Sequence, residues 1–367
     1  MTRTTLVFLL AGAVGSVLVL SAGLTLLARR IALRLDFVDH PGGHKTHRTP
    51  TPYGGGCALL GAAWLALGAT LWLAAWLPEA WVRGEFGETV RAYVGGVHGR
   101  MLQTIVILIG GAVLHVVGLL DDKRPLRPGP KLLTIMAVGL FVATAGRVRI
   151  AELMGAPISI VLTTLWFVVI VNAFNFLDNM DGLSAGVGCV CLAAFAVCGL
   201  MAGQVLVPAL ACVFLGAAGG FLIFNFPPAR IFMGDGGSLV LGYMLATVSV
   251  LTTYYQSGHG APPYALAMPL VILAVPLYDC VSVVVIRLRE GRNPMHGDQR
   301  HFSHRLVDRG LSRRQAVLTI YLATATTGLL ATLLPGANLR QTITIGVIVL
   351  MVLSVVAILE APLRRET

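Results

Sequence analysis

Five short polar segments carry the side chains of this sequence that could perform chemistry. They combine Asp and Asn with Lys, His and Arg, without a Ser-His-Asp order or a Walker glycine loop. Carboxylates and amides are ligands of Mg²⁺, and basic groups stabilise charge on phosphoryl oxygens. The mixture therefore favours Mg²⁺-assisted phosphoryl transfer. The segments are residues 39–56, 118–131, 172–183, 225–238 and 298–306.

Adjacent carboxylates are the main feature of the second segment. Asp121 and Asp122 end an apolar stretch, and Lys131 follows shortly after them. Ionisable groups cost about 2.5–3.5 kcal/mol each at the bilayer centre and less near its surface, and the helix dipole disfavours anions at a C-terminus. A divalent cation or a catalytic proton transfer would account for this pair. A solvated loop is the alternative interpretation.

The third segment has polar residues at intervals of three. In a helix, Asn175, Asp178 and Asp181 would lie along one side of the end of a span. Contacts between helices are the alternative, and they would explain Asn172 but not two further Asp residues. Oxygen ligands of this kind suit Mg²⁺.

In the fourth segment, Asp235 lies between glycines at the start of another apolar run, and Ser238 follows three residues later. Such a carboxylate could hold a metal while backbone N–H groups bind a diphosphate. A simple turn with a Ser N-cap is the alternative.

The first segment is a basic loop. Lys45, His47 and Arg48 lie among Pro and Gly residues that prevent a regular helix. They could bind phosphate oxygens, with the following glycines allowing backbone N–H groups to approach an anion. An ordinary basic loop at the inner membrane face is the alternative.

The fifth segment is basic as well, and His301, His304 and Arg305 could share one of its faces. Two neutral imidazoles could ligate a transition metal. We prefer phosphate or sugar contacts because no Cys or third close ligand supports zinc. A solvated basic loop is again the alternative.

The remaining sequence is apolar enough to require a membrane. The chain of 367 residues is 56% hydrophobic and 12% charged, and its mean hydropathy is +0.81. Its apolar runs are continuous rather than alternating, which indicates helices and excludes a closed barrel. We predict an all-α polytopic integral membrane protein, one domain over 1–367, with about eleven transmembrane helices, or ten if the short fourth run does not span. The runs are 5–27, 54–77, 103–120, 131–145, 159–177, 183–201, 205–224, 237–252, 264–287, 316–334 and 341–360.

The Lys and Arg residues set the predicted orientation. Twenty of the 27 lie on one side of the predicted spans, which the positive-inside rule assigns to the cytoplasm. The N-terminus is then outside, and the polar segments face the cytoplasm from the cell membrane. The net charge of +10 suits anionic headgroups or phosphorylated substrates, and we expect no nucleic-acid partner. The cytoplasmic loops are 28–53, 121–131, 178–182, 225–236 and 288–315.

Taken in order, the five segments resemble the motifs of the polyprenyl-phosphate N-acetylhexosamine-1-phosphate transferase family. The resemblance extends from Asp39 to Arg305 and so covers most of the chain. The matching motifs are the Lys45/His47 loop, Leu-Leu-Asp-Asp at 119–122 with Lys131, Asn-Phe-Leu-Asp at 175–178 through 183, Phe-Met-Gly-Asp at 232–235 with Ser238, and 301–305.

The resemblance implies an enzyme that transfers a sugar-1-phosphate from a UDP-N-acetylhexosamine to undecaprenyl phosphate and releases UMP, the first membrane step of a cell-envelope glycan pathway. It implies Mg²⁺, or Mn²⁺ in its place, on Asp235 and Asn175. It also implies that Asp121 and Asp122 deprotonate or orient the lipid phosphate. We favour direct attack of this phosphate on the donor, and a phospho-enzyme intermediate is the alternative. The resemblance also leads us to expect a homodimer. The implied substrate-binding residues are Lys45, His47, Lys131, Asp178, Asp181, Asn225, His301, His304 and Arg305.

The fifth segment suggests the branch of the family. Residues 298–306 read Asp-Gln-Arg-His-Phe-Ser-His-Arg-Leu, similar to the Asp-x-x-His-x-His-His-Arg-Leu pattern of the WecA/TagO branch, which favours GlcNAc-1-phosphate as the transferred group. Ser303 departs from that pattern, which has His there. A phospho-MurNAc-pentapeptide transferase of the same family is the alternative.

A lipid-phosphate transporter or flippase is the alternative from another functional class. It predicts charges near mid-membrane and inverted repeats, whereas the charges here gather at one end of the predicted spans. A lipid phosphatase would need a nucleophile with nearby His and Arg but no nucleotide pocket.

Overall fold

A computed structural model describes residues 3–39, 50–76, 95–252, 267–293 and 300–360. The principal elements in chain order are α1 Arg3–Arg34, β1 Val38–Asp39, β2 Thr51–Pro52, α2 Gly55–Trp76, α3 Met101–Lys123, α4 Pro128–Thr144, α5 Ala156–Leu177, α6 Leu183–Met201, α7 Leu206–Asn225, α8 Asp235–Thr252, α9 Met268–Ile272, α10 Ala274–Arg289, α11 Phe302–Asp308, α12 Arg313–Ala331 and α13 Leu339–Glu360. The strands β1 and β2 form one short antiparallel pair.

The predicted all-α membrane fold is confirmed. In the described ranges, nine helices are long and apolar enough to cross a bilayer. The fourth predicted run corresponds to α4, which has 17 residues. The ninth corresponds to α9 and α10, and its first residues, 264–266, lie outside the described ranges. The number of crossings and the side of the N-terminus stay predictions.

The ninth run is divided at Leu273, between α9 and α10. Pro276 has no N–H group, so the carbonyl of Ile272 cannot accept the usual helical hydrogen bond. The Cys191 thiol lies 3.5 Å from that carbonyl oxygen and donates to it. Proline therefore shapes the helix that leads into the fifth polar segment.

Helix α8 is the centre of the bundle, and residues 236–251 along it are all buried. Over the most apolar 18 residues of each helix, the mean hydropathy of α8 is 1.2, the lowest among the nine, while that of the peripheral α13 is 2.9. This difference is expected because a helix surrounded by protein tolerates Gly, Ser and Thr, whereas lipid selects apolar side chains.

Glycines allow two helices to cross the start of α8 closely. A Cβ atom on Gly118 of α3 would lie 2.4 Å from the carbonyl oxygen of Asp235, and one on Gly56 of α2 would lie 2.4 Å from the nitrogen of Gly237. Any larger residue would push these backbones apart. The close crossing brings the end of α3, with its two carboxylates, against the first turn of α8.

Candidate active site

Three helices meet around the ammonium group of Lys131. This group, on α4, lies 3.0 Å from Oδ2 of Asp121 at the end of α3, and it forms an ion pair with Asp235 at the start of α8. The three side chains are 13–30% exposed, so water screens them only in part. Asp121 also accepts a hydrogen bond of 2.5 Å from the N–H of Leu126. With two carboxylates and one ammonium, this centre keeps a net negative charge.

A fourth helix contributes the amide of Asn175. Its Nδ2 lies 2.8 Å from Oδ1 of Asp235 and 2.9 Å from Oγ of Ser238. Asn175 is in the last turn of α5 and Ser238 is in the first turn of α8. Asp235 is therefore held at both oxygens, by Asn175 on one and by Lys131 on the other.

Asp122 caps helix α8 from a different helix. Its two carboxylate oxygens accept hydrogen bonds from the N–H groups of Asp235, at 2.7 Å, and Gly236, at 3.0 Å. These N–H groups begin a helix and have no partner within it, and a carboxylate also complements the dipole there. Gly234 makes the approach feasible, since its φ is +69° and a Cβ atom would lie 2.5 Å from Oδ2 of Asp122.

Asp178 follows α5 directly and is partly buried. Burial raises the pKa of its carboxyl group well above the usual range, and the negative charges of Asp235, Asp122 and Asp181 raise that pKa further. This upward shift of the pKa indicates that acidic groups are crowded at this end of the bundle. Such crowding favours a bound cation.

Asp181 and Asn225 join the third and fourth polar segments. The buried Asn225 accepts a hydrogen bond of 2.9 Å from the N–H of Gly182 and donates one of 3.0 Å to the carbonyl of Ile231. A carboxylate oxygen of Asp181 accepts a hydrogen bond of 2.9 Å from the N–H of Ala229. Both side chains thus connect the turn that follows α5 to the loop between α7 and α8.

His301 of the fifth segment is buried among residues from two other elements. Its Nδ1 lies 3.0 Å from Oδ2 of Asp279 on α10. The His301 ring packs edge-on against Phe176, with a centroid distance of 5.9 Å. The guanidinium of the fully buried Arg287 lies 5.3 Å from the centroid of that same Phe176 ring.

Arg305 lies in another polar group. Its Nη2 lies 2.9 Å from Oγ of Ser282 and 3.1 Å from a carboxylate oxygen of Glu360 at the end of α13. Tyr278 donates a hydrogen bond of 2.5 Å to the same carboxylate. The Nε atom of Arg305 is buried and has no hydrogen-bond partner in the described ranges.

His304 lies one helical turn from His301, in α11. Burial lowers the pKa of its imidazole, and the positive charge of the nearby Arg313 lowers it further. The neutral ring, which can both donate and accept a hydrogen bond, is thereby favoured.

The structure thus divides the predicted site residues into groups. One group combines Asp121, Asp122, Lys131, Asn175 and Asp235, with Asp178 near it. A second group holds Asp181 and Asn225, while His301, His304 and Arg305 belong to the fifth segment. Lys45 and His47 lie outside the described residues. The catalytic and binding roles of all these residues stay predictions.

Sequence reasoning missed several structural partners of the site. Asp279 lies inside the ninth apolar run and His115 inside the third, and an ionisable residue at such a position is itself a signal. The Nδ1 of His115 lies 2.7 Å from the carbonyl oxygen of Gly236. Ser303 donates a hydrogen bond of 2.5 Å to Oδ1 of Asn179, a pairing for which the sequence offers no signal.

The residues present fit a hard divalent cation. The ammonium of Lys131 already lies against two carboxylates, so this position accommodates positive charge. Within the described part of the chain, no cluster of three or more His, Cys, Asp or Glu residues forms a complete metal cage. Mg²⁺ needs no such cage, since it usually binds one or two carboxylates together with substrate phosphates.

Comparison with known proteins establishes the family. Residues 104–253, from α3 to the end of α8, match glycosyl transferase family 4. A Bacillus subtilis (strain 168) protein, described as a probable undecaprenyl-phosphate N-acetylglucosaminyl 1-phosphate transferase, is 30% identical over 344 residues, which are 91% of this chain and 87% of the relative. The chain belongs to this family.

Other relatives of this family 4 chain carry similar descriptions. The decaprenyl-phosphate N-acetylglucosaminephosphotransferase of Mycobacterium tuberculosis (strain CDC 1551 / Oshkosh) is 36% identical over 80% of this chain and 74% of its own length. The undecaprenyl-phosphate alpha-N-acetylglucosaminyl 1-phosphate transferase of Escherichia coli (strain K12) is 26% identical over 81% and 76%. The resemblance to polyprenyl-phosphate N-acetylhexosamine-1-phosphate transferases is thereby confirmed.

Proposed function

We propose that this family 4 protein transfers N-acetylglucosamine-1-phosphate from UDP-GlcNAc to undecaprenyl phosphate. The observation that carries the proposal is the convergence of Asp121, Lys131, Asn175 and Asp235 from four helices at one end of the bundle. The names of the relatives support the sugar and the lipid class.

Both substrates are anionic and repel each other, so the site must supply positive charge. Lys131 would supply part of this charge, since its ammonium lies within the cluster against two carboxylates. An oxygen of the lipid phosphate attacks the β-phosphorus of the donor. The bond from that phosphorus to the oxygen shared with the α-phosphate breaks, and UMP leaves with that oxygen. Lipid-linked diphosphate-GlcNAc remains.

Asp235 and Asn175 would hold Mg²⁺, with Mn²⁺ as a substitute. The cation would supply charge neutralisation on the donor diphosphate. Asn175 would need to present its amide oxygen, which exchanges with Nδ2 by rotation of the amide. Asp178 belongs to the same acidic end of the bundle and is assigned to the nucleotide pocket.

The two adjacent carboxylates differ in their contacts, which suggests different tasks. Asp122 is engaged by two backbone N–H groups, and this favours positioning of the metal ligand Asp235. Asp121 contacts Lys131 and is the better candidate to orient the lipid phosphate or accept its proton. Direct attack by the lipid is consistent with both tasks.

The remaining assignments concern recognition and location. The fifth segment, with His301, His304 and Arg305, would recognise the sugar, while Asp181 and Asn225 shape the nucleotide pocket through the loops they join. The site would face the cytoplasm from the cell membrane, because the basic loops lie on that side. A homodimer is part of the proposal.

The experiment is transfer by the purified protein in detergent. We expect radiolabelled UDP-GlcNAc, undecaprenyl phosphate and Mg²⁺ to give labelled lipid together with UMP. EDTA should abolish turnover, and Asp235→Ala should leave it near background. Asp308→Ala, at an exposed carboxylate in α11, is the matched control and should retain activity. Full activity of Asp235→Ala would contradict the metal assignment.

A donor panel tests the alternatives. UDP-GalNAc and UDP-MurNAc-pentapeptide are offered beside UDP-GlcNAc under the same conditions. Preferred use of the pentapeptide donor would assign the chain to the phospho-MurNAc-pentapeptide transferases. If labelled lipid moved between the two leaflets of proteoliposome membranes without any release of UMP, the result would instead support a flippase.

A further inference from the structure

Asp279 is a buried carboxylate that the proposed chemistry does not use. It lies on α10, within the ninth apolar run, and its exposed fraction is 1%. A carboxylate in such surroundings is costly unless hydrogen bonds satisfy it. Its partners therefore indicate what it does.

Both oxygens of Asp279 are bonded to the start of α11. Oδ1 accepts a hydrogen bond of 2.8 Å from the N–H of Phe302, the first residue of that helix. Oδ2 lies 3.0 Å from Nδ1 of His301, the N-cap residue. One side chain therefore fixes both the backbone turn and the ring of His301.

This contact also selects the tautomer of the ring. An ionised carboxylate only accepts hydrogen bonds, so Nδ1 of His301 must carry the proton that faces Asp279. When the ring carries no second proton, this arrangement leaves the lone pair on Nε2, which can then accept a hydrogen bond. Hydroxyl groups and the acetamido N–H of a hexosamine are the donors that such an acceptor would bind.

The His301 ring also contacts the end of α5 that carries Asn175, the proposed metal ligand. His301 packs edge-on against Phe176 at 5.9 Å between centroids, and Phe176 follows directly after Asn175. Two residues along the chain, the buried Ser303 donates to Asn179 in the turn after α5. The first turn of α11 is therefore held against the end of α5 and against α10 at once.

We propose that Asp279 is a positioning residue for recognition of the donor sugar, because it fixes His301 with Nε2 free to accept a hydrogen bond from the hexosamine. This inference rests on the proposed function. It differs from a purely structural role for Asp279, in which the carboxylate caps α11 and the tautomer of His301 has no consequence for the donor.

Asp279→Asn separates these two roles. The amide oxygen of the new side chain can still accept from the N–H of Phe302, but its NH₂ group donates toward Nδ1 and so favours the opposite tautomer of His301. We expect KM for UDP-GlcNAc to rise about tenfold or more, because the sugar loses a hydrogen bond and its own donor group is left without a partner. KM for undecaprenyl phosphate should stay unchanged, and so should the affinity for UMP, which lacks the N-acetylhexosamine of the donor. Asp308→Asn, the same change at an exposed position of α11, should leave both KM values as in the wild type.

Histidine ¹⁵N spectra of the full chain in detergent provide a readout besides activity. The signal of His301, assigned by its loss in His301→Gln, should move from the Nδ1–H to the Nε2–H pattern in Asp279→Asn. An unchanged donor KM together with that exchange would overturn the inference. Equal losses for donor and lipid with a lower Tm would also overturn it, since they indicate structural capping alone.

The two proposals fail in distinguishable ways. If the wild type transfers sugar-1-phosphate and Asp279→Asn does so with an unchanged donor KM, only the inference on Asp279 is wrong. If the wild type releases no UMP with any donor of the panel, the proposed function is wrong and the inference falls with it.

Discussion

The carboxylate of Asp122 accepts a hydrogen bond of 2.7 Å from the backbone N–H of Asp235, a residue 113 positions later in the chain. The end of one helix thereby caps the start of another. Because Asp235 is the predicted metal ligand, the geometry of the proposed metal site would depend on a side chain that need not touch the metal.

Removal of this cap should affect both stability and turnover. Asp122→Ala leaves two N–H groups at the start of α8 without a partner, and loss of an N-cap costs about 1 kcal/mol. We expect a lower Tm and a large loss of transfer activity. Asp122→Asn should retain more stability, because its amide still accepts one of the two hydrogen bonds, yet turnover should fall with donor binding kept. Wild-type rates for Asp122→Asn would rule out the predicted role of this carboxylate.

Replacement of Lys131 should make stability depend on divalent cations. Lys131→Met leaves Asp121 and Asp235 close together without their shared ammonium, and removal of one partner of a mostly buried ion pair costs about 3 kcal/mol. Mg²⁺ can replace the missing charge, so millimolar Mg²⁺ should raise the Tm of this variant more than that of the wild type. Thermal unfolding in Mg²⁺ and in EDTA measures the difference. Lys123→Met, at an exposed position of the same polar segment, is the control, and an equal response of both variants would contradict the expectation.

Neutralisation of Asp178 should stabilise the protein in a pH-dependent manner. The pKa of its carboxyl group is raised in the folded state by burial and by nearby carboxylates, so folding favours the protonated form. The wild type therefore loses stability as the pH rises from the unfolded pKa toward the folded pKa, whereas Asp178→Asn does not. We expect the Tm of the variant in EDTA to exceed that of the wild type by a few degrees above neutral pH, and the gain to vanish in acid. A gain that is independent of pH would exclude the titration of Asp178 as its cause.

The hydrogen bond between Ser303 and Asn179 should couple the fifth segment to the end of α5. Each of Ser303→Ala and Asn179→Ala removes the bond of 2.5 Å, and the double variant should lose little more than either single variant. A coupling energy of about 1 kcal/mol is expected from a double-mutant cycle on kcat/KM for UDP-GlcNAc. Strictly additive losses would show that the bond does not contribute to donor recognition.

The amino-acid sequence determined the class of the fold and the residues of the central site. Long apolar runs identified the helices because lipid requires apolar side chains and internally bonded backbone. Asp and Lys residues at the ends of those runs were conspicuous because charge is costly there, and the structure does bring Asp121, Lys131 and Asp235 together. Hydropathy alone did not reveal the division of the ninth run at Leu273, which depends on Pro276.

Only the tertiary structure decided which polar groups bond to one another. Asn225 joins two loops, Asp122 caps a distant helix, and Asp279 holds His301. Each of these contacts links segments that are far apart in the chain, and their partners include backbone N–H groups, which every residue except proline has. Sequence spacing carries no information about such pairs, because the packing of the helices sets the distances between them.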